Sequence, residues 1–281
     1  MPELPELQAH AERLTTEFGG RELTGFRPIA FTALKTYAPP PDQAFGHPLL
    51  GVGRRGKYLL LDFGAATFVV HLMQGGRLKP DEKQSAKPRG GLARWLFDDG
   101  PALLLTEAGT EKRAGVWVRE GTRAEIEAQD PIEGLGPDAD RVDAAALATI
   151  CKAHSMRLHG LLRDQRAIAG IGRRLANEIC HRAKLSPFAA TAKFGPAGAA
   201  AVVAAIAACV AEGLAYERTR PDMSSSADRP GAVHHRTGEL CPACGDTVRE
   251  VAYSSYTVNY CPTCQTGGRT LADNTTSKFL R

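Results

Sequence analysis

Four cysteines constrain this chain more than any other feature. In "CPACGDTVREVAYSSYTVNYCPTC", Cys241, Cys244, Cys261 and Cys264 are spaced C-x2-C-x16-C-x2-C. Each pair presents two thiolates to one tetrahedral ion, and the segment between reads as a hairpin with arms "TVREVAYSS" and "YTVNY". Four thiolates fill the coordination sphere of one Zn2+ and leave no position for water, so the expected ion is structural. A redox pair is the alternative, and two matched pairs in one hairpin disfavour it. Cys151, Cys180 and Cys209 lie in helical patterns and read as core residues.

The rest of the chain is too long to be only an appendage of that hairpin. With 281 residues, 43% of them hydrophobic, it has material for two or three domains with their own cores. "ELPELQAHAERLTTEFGG" places Leu4, Leu7, Ala11 and Leu14 at helical spacing, and Gly19-Gly20 stop it. Strand-like runs follow: "KYLLLDF", "ATFVVHLM", "ARWLFDD", "PALLLTEA" and "AGVWVRE", separated by Gly, Pro and Asp. This predicts one helix and a β-sandwich or barrel. Helical patterns run from about Asp143 to Glu217, and "ERTRPDMSSSADRPG" reads as a loop or linker.

The fold expected is therefore α+β and multidomain. Residues 1–128 form the helix and sandwich, 129–230 a helical domain, and 231–281 the zinc hairpin and tail. No internal repeat is visible. No apolar run reaches the roughly 18 residues of a membrane span, and the first 20 residues hold four acids, unlike a signal peptide. The expectation is a monomeric, cytoplasmic protein with no membrane partner.

Charge divides the chain unevenly. Residues 1–150 hold 18 Lys and Arg against 21 Asp and Glu, whereas 151–281 hold 17 against 10. Within 151–189, eight basic residues face only Asp164 and Glu178. A basic half points to a polyanion, although many solvated helices are basic too. Here "LLRDQRAIAGIGRRLANEICHRAK" places Gly170-Ile171-Gly172 between two helical patterns. The N–H groups of the second helix, with Arg166, Arg173 and Arg174 beside them, suit a phosphate. An ordinary helix-packing corner is the alternative.

The N-terminus "MPELPEL" brings acids and prolines together. Pro2 is small enough for removal of Met1, which exposes a secondary amine. An α-amine titrates near 8, so roughly 10% is neutral at pH 7, against about 0.04% of a lysine. It is the better nucleophile before any tuning. Taken alone, Pro2 and Glu3 fit a simple helix start better than a catalytic role.

Together, "MPELPE", "RRGKYLLL" (54–61), "HLMQGGRL" (71–78), "GIG" and the hairpin ending "CPTCQ" resemble the formamidopyrimidine-DNA glycosylase / endonuclease VIII (Fpg/Nei) family, over nearly the whole chain and in family order. The resemblance implies a helix plus β-sandwich, a helix–two-turn–helix domain and a zinc hairpin, with DNA in the cleft between them. It implies base-excision repair: a DNA glycosylase with abasic-site lyase activity that forms a Schiff base. Pro2 would be the nucleophile, Glu3 the general acid/base, Glu6 a residue orienting the terminus or a water, and Lys57 a phosphate contact near the lesion. Damaged double-stranded DNA is the expected partner, with single-stranded DNA left open, and the location is nucleoid-associated. His71, Gln74, Arg113, Arg166 and Arg173 are assigned to DNA. His71 fits a hydrogen-bonded core position equally well, and Arg77 would line the cleft with it.

The chain departs from the family at several positions. Arg173 replaces the asparagine that commonly follows the glycine turn. Tyr256 stands where the hairpin usually carries an arginine, leaving Arg249 or a Tyr256 hydrogen bond to compensate. Gln74 takes the place of a void-filling methionine, with Met73 adjacent, and Ala114 that of an aromatic wedge. The purine-capping loop would fall in "RTRPDMSSSADRPG" and looks short. Specificity like that of endonuclease VIII is favoured, with an 8-oxoguanine or formamidopyrimidine glycosylase as the alternative. A non-catalytic DNA-binding protein on the same scaffold is the rival.

Overall fold

A computed structural model describes residues 1–223, 228–253 and 255–271. The chain divides into two compact units: Met1–Gly134 with Glu217–Ser226, and Leu135–Tyr216 with Ala227–Arg281.

The first unit opens with α1 (Leu4–Phe18), followed by β1 (Leu23–Pro28), β2 (Gly51–Arg55), β3 (Tyr58–Asp62), β4 (Thr67–His71), β5 (Gly76–Asp81), β6 (Gly91–Phe97), β7 (Ala102–Glu107), β8 (Gly115–Arg119) and α2 (Arg123–Glu127). Two four-stranded antiparallel sheets form, ordered β1-β6-β7-β5 and β2-β3-β4-β8. The expected sandwich is present, and all five predicted strand runs are strands. Their side chains alternate as a pleat requires. Leu59 and Leu61, Phe68 and Val70, and Val116 and Val118 enter the core from one sheet. Ala93 and Trp95, with Leu103 and Leu105, meet them from the other. Phe26 and Phe68 set their rings at 66° and 78° to Trp95, the edge-on geometry that aromatic quadrupoles favour. Leu7, Ala11, Leu14 and Phe18 recur at one face of α1 and join the same core.

The second unit contains α3 (Ala144–Ala153), α4 (Leu158–Arg163), α5 (Arg173–Arg182), most of α6 (Pro196–Arg218), β9 (Arg249–Ala252), β10 (Thr257–Tyr260) and α7 (Pro262–Thr266). The broad helical stretch read from sequence is thus four separate helices. By length and composition α6 could span a bilayer, which the shorter uninterrupted apolar run had not indicated. Its Ala199, Val202, Ala205, Ile206, Cys209 and Val210 are buried at helical spacing, so one face of the helix packs inside the protein. β9 and β10 pair antiparallel as the two arms of the cysteine hairpin. The centre of the segment expected to cap a purine, residues 224–227, lies outside the described residues.

Candidate active site and metal centre

Strand register assembles one end of the sandwich. Tyr58 pairs with His71, and His71 pairs with Gly115, so β3, β4 and β8 align these residues in a row. Arg55 pairs with Tyr58, which makes Gly56-Lys57 a two-residue hairpin loop. Gly56 has φ of 55°, the positive value such a turn requires, and thereby sets Lys57 at its tip.

The amino terminus reaches the same place. His71 is lowered to about 4, first by burial, then by the charges of Lys57 and the chain's α-amino group. These three groups are therefore neighbours, and two cations in a sparsely hydrated site keep the imidazole neutral. Pro2, Glu3 and Glu6 are buried beside them at the start of α1. The Glu6 carboxylate accepts the Glu3 N–H at 2.9 Å. Glu6 thus locks the backbone that carries Pro2 and Glu3, satisfying an amide that a helix start leaves open.

The β4–β5 turn continues from His71. Met73 adopts φ of 51°, and both its N–H and its sulfur approach His71 Nδ1, at 3.3 and 2.9 Å. Gln74 is exposed at the turn. Gly76 admits no side chain: a Cβ would lie 2.1 Å from the Leu72 carbonyl oxygen. Arg77 donates to the Gly76 carbonyl at 2.7 Å. Arg113 is exposed and pairs with Glu111 at 2.7 Å. Ala114 is only 1% exposed, its amide tied to Glu107 at 2.8 Å, so its side chain offers no wedge.

In the second unit, Gln165 holds the glycine turn. Its Oε1 accepts the Gly170 N–H at 3.0 Å and its Nε2 donates to the Ile171 carbonyl at 2.8 Å. Gly170 has φ of 99°, a conformation natural to glycine. Arg173 then begins α5, half-buried, while Arg166 is exposed on the preceding loop. Tyr256 sits at the hairpin turn, where the Tyr253 N–H bonds the Tyr256 carbonyl at 2.8 Å. Arg249 pairs with Tyr260 at the other end of the hairpin.

The four cysteine sulfurs lie within 4.8 Å of one another. Cys241 and Cys264 are 3.9 Å apart, Cys244 and Cys261 3.4 Å. A tetrahedral ion with bonds of about 2.3 Å requires sulfurs about 3.8 Å apart, so the donor set fits one metal ion. Burial opposes the Cys241 thiolate, but hydrogen bonds from the Ala243 amide, His181 and the Cys244 amide outweigh it and lower its pKa. Burial raises Cys261 to about 11. A divalent cation relieves that conflict between neighbouring sulfurs. Gln265 accepts the Cys261 N–H at 2.8 Å and donates to the Leu185 carbonyl at 3.0 Å.

Several residues here escaped sequence reasoning. The Glu178 carboxylate accepts the amides of Ala232, Val233 and His234 at 2.8, 3.1 and 2.8 Å, fastening α5 to the lead-in of the hairpin. Asn177 Nδ2 reaches Asn259 Oδ1 at 3.2 Å. His181 Nε2 lies 3.2 Å from Cys241 Sγ. Arg163 lies over the Tyr256 ring. One signal was available: Glu178 is one of two acids in a strongly basic stretch, and an isolated acid there has backbone or cation partners to serve.

A helix-led sandwich in one unit, and a glycine-turn helix pair joined to a four-cysteine hairpin in the other, define a DNA-glycosylase scaffold. A family model described as the formamidopyrimidine-DNA glycosylase N-terminal domain matches residues 1–110. A formamidopyrimidine-DNA glycosylase of Thiobacillus denitrificans is 32% identical over 280 residues, covering 94% of this chain and 100% of the relative. An uncharacterized formamidopyrimidine-DNA glycosylase-like protein of Mycobacterium tuberculosis is 41% identical over 149 residues, 52% of this chain and 94% of that one. A Lactococcus lactis Fpg mutant, solved with DNA containing Fapy-dG, superposes with a TM-score of 0.82 at 18% identity, covering 94% of this chain and 100% of that one. The wild-type enzyme, solved with DNA containing an oxidized pyrimidine, gives 0.83 at 18% identity, with coverage of 94% and 100%. The chain belongs to the formamidopyrimidine-DNA glycosylase / endonuclease VIII (Fpg/Nei) family.

Proposed function

We propose that this protein is a DNA-repair glycosylase that also cleaves abasic sites, with the Pro2 amine as its nucleophile. The observation that carries this reading is the meeting of the α-amino group, Lys57 and His71 at the end of the sandwich where Glu3 and Glu6 are buried. Loss of Met1 moves the terminal amine to Pro2. Its lone pair attacks C1′ of the damaged nucleotide and the base leaves with the glycosidic electron pair. Glu3 protonates the sugar ring oxygen as the ring opens, giving an iminium on Pro2. Loss of a C2′ proton then expels the 3′ phosphate, and water releases the amine. Lys57 at the hairpin tip binds the phosphate beside the lesion. Glu6 keeps the Glu3 backbone in place.

The ion fitting the four cysteines is Zn2+, by the preference of four thiolates in a closed site. When bound, it supplies a structural cross-link. Arg166 and Arg173 serve DNA phosphates. The buried Ala114 and exposed Gln74 support a preference for lesions that are already loosely stacked. Abasic sites and oxidised pyrimidines are then cut faster than 8-oxoguanine paired with cytosine, since extruding a well-paired base costs a few kcal/mol.

Borohydride trapping on abasic DNA tests the chemistry. Protein lacking Met1 forms a covalent adduct, and protein retaining Met1 does not. Trapping undiminished by retained Met1 removes Pro2 from the role. DNA binding with no trapping favours the non-catalytic reading.

A further inference from the structure

Residues 29–36 are held firmly. The amides of Ile29 and Ala30 both bond the Leu92 carbonyl, at 2.9 and 3.0 Å, and Ala33 N–H bonds the Ala30 carbonyl at 3.0 Å. Phe31 and Thr32 form the tip of that turn. Val116 then donates to the Ala33 carbonyl at 2.9 Å and accepts from Lys35 at 2.8 Å, while Thr36 Oγ1 accepts the Val118 N–H at 3.0 Å. Yet Phe31 is 98% exposed and Tyr37 99%. Neither ring has a ring partner among the described residues. Isolated exposed apolar residues are ordinary. Two aromatic rings held out by a tethered segment, with Lys35 also exposed between them, match the make-up of a nucleic-acid stacking surface.

Register places this segment. Leu34 bridges Val116 in parallel, so the row Tyr58–His71–Gly115 extends to Ala33. One step further along the chain ends stand Lys57 and Ala114, and beside them the turn bearing Phe31. Strands are about 4.8 Å apart, which puts Ala33 about 10 Å from His71 across the sheet. A Cβ on Gly115 would lie 2.8 Å from both Lys35 Cε and the Trp117 ring, so the Lys35 stem crosses the surface beside the buried Ala114.

We propose that Phe31 stacks on a base exposed when a damaged nucleotide leaves the duplex, with Lys35 on an adjoining phosphate, supplying from a neighbouring loop the aromatic contact that Ala114 lacks. The proposal rests on the glycosylase reading above. Specificity for opened duplex then resides in the 31–37 segment.

The probe is a duplex carrying a tetrahydrofuran abasic analogue opposite 2-aminopurine, with an undamaged duplex for comparison. Phe31→Ala weakens binding to the abasic duplex roughly tenfold, within the roughly 5- to 140-fold range of one base–aromatic stack. It also abolishes the change in 2-aminopurine fluorescence on binding, and Phe31→Trp restores both. Tyr37→Ala, at the far end of the segment beyond Thr36, changes neither readout. The melting temperature of each variant is unchanged, because neither ring enters the core. If Phe31→Ala binds and responds like the unsubstituted protein, the stacking proposal is wrong and the glycosylase reading stands. An equal loss on undamaged duplex also overturns it, because an intact stack offers no base face. If the unsubstituted protein binds neither duplex, both readings fall.

Discussion

The guanidinium carbon of Arg163 lies 4.2 Å from the centre of the Tyr256 ring, and that ring stacks on Tyr253 at 4.7 Å with planes 8° apart. A cation thus reaches the Tyr256 ring from the end of α4. Arg163 has no carboxylate partner among the described residues, so its charge is available to a phosphate. A cation over a tyrosine ring gains about 0.5–2 kcal/mol, enough to fix a long side chain.

Arg163→Ala should therefore weaken binding to all DNA sequences and reduce the salt dependence by about one charge. Tyr256→Phe should leave both unchanged, because the ring face does the work. Tyr256→Ala should fall between them. Fluorescence anisotropy across a salt series reads all three. A Tyr256→Phe loss equal to that of Arg163→Ala assigns the contact to the hydroxyl instead.

That pair shows where sequence reading stops. The four-cysteine cluster was legible because its members come as two C-x2-C pairs. The strands "KYLLLDF" and "PALLLTEA" were legible because their apolar runs are unbroken. β1, β2 and β5 were not, since "LTGFRP", "GVGRR" and "GRLKPD" contain Gly, Pro and charges and owe their form to pairing partners. Lys57 and the acids of the N-terminus were nominated by the resemblance, not by any local pattern. Arg163 meets Tyr256, and Glu178 meets Ala232, across more than 50 residues of chain, and no local pattern encodes such a contact.

Glu178 gives the second prediction. Its carboxylate collects three successive amides of the 232–234 segment. Glu178→Ala leaves those donors without their acceptor in half-buried surroundings, at a cost of about 2–5 kcal/mol in total. Glu178→Gln keeps one acceptor oxygen and should lose about half as much. Hydrogen exchange should speed up at residues 232–234 and along β9–β10, while the sandwich amides stay protected. Uniform loss of protection throughout the chain would contradict a local fastening.

Metal removal should act on the same region. A strong chelator should release one zinc ion per chain and disorder the hairpin, with the sandwich remaining folded. Cys261→Ser should lower the bound zinc measured by atomic absorption. His181 bonds the Cys241 sulfur, and outer partners of metal ligands commonly contribute 10- to 100-fold in affinity. His181→Ala should then weaken zinc binding roughly tenfold in competition with a chromophoric chelator. An unchanged affinity would make the histidine merely a packing residue.

Acid should destabilise both units through histidines whose pKa burial lowers, among them His10 and His71 in the first and His159 and His234 in the second. His10 on α1 is lowered to about 3, by burial first and then by the Arg13 charge. His159 on α4 is also lowered to about 3, by burial and then by Arg163. Above pH 6.5 each is neutral in the folded and unfolded chain and adds no pH dependence. Below 6.5 the unfolded chain takes up a proton that the folded chain refuses, so stability falls with pH. The loss continues down to about pH 3, where the folded form protonates as well. Its slope approaches about 1.4 kcal/mol per pH unit for each group. Between pH 7 and pH 5 each histidine should therefore cost about 2 kcal/mol. Both are almost fully buried, so solvent screening takes little from this figure. Urea unfolding at the two pH values measures it. His10→Gln should reduce the pH 7 to pH 5 difference of the first unit by about 2 kcal/mol, whatever it does to stability at pH 7. A difference that survives the substitution intact would show that His10 takes up its proton equally well in the folded and unfolded chain.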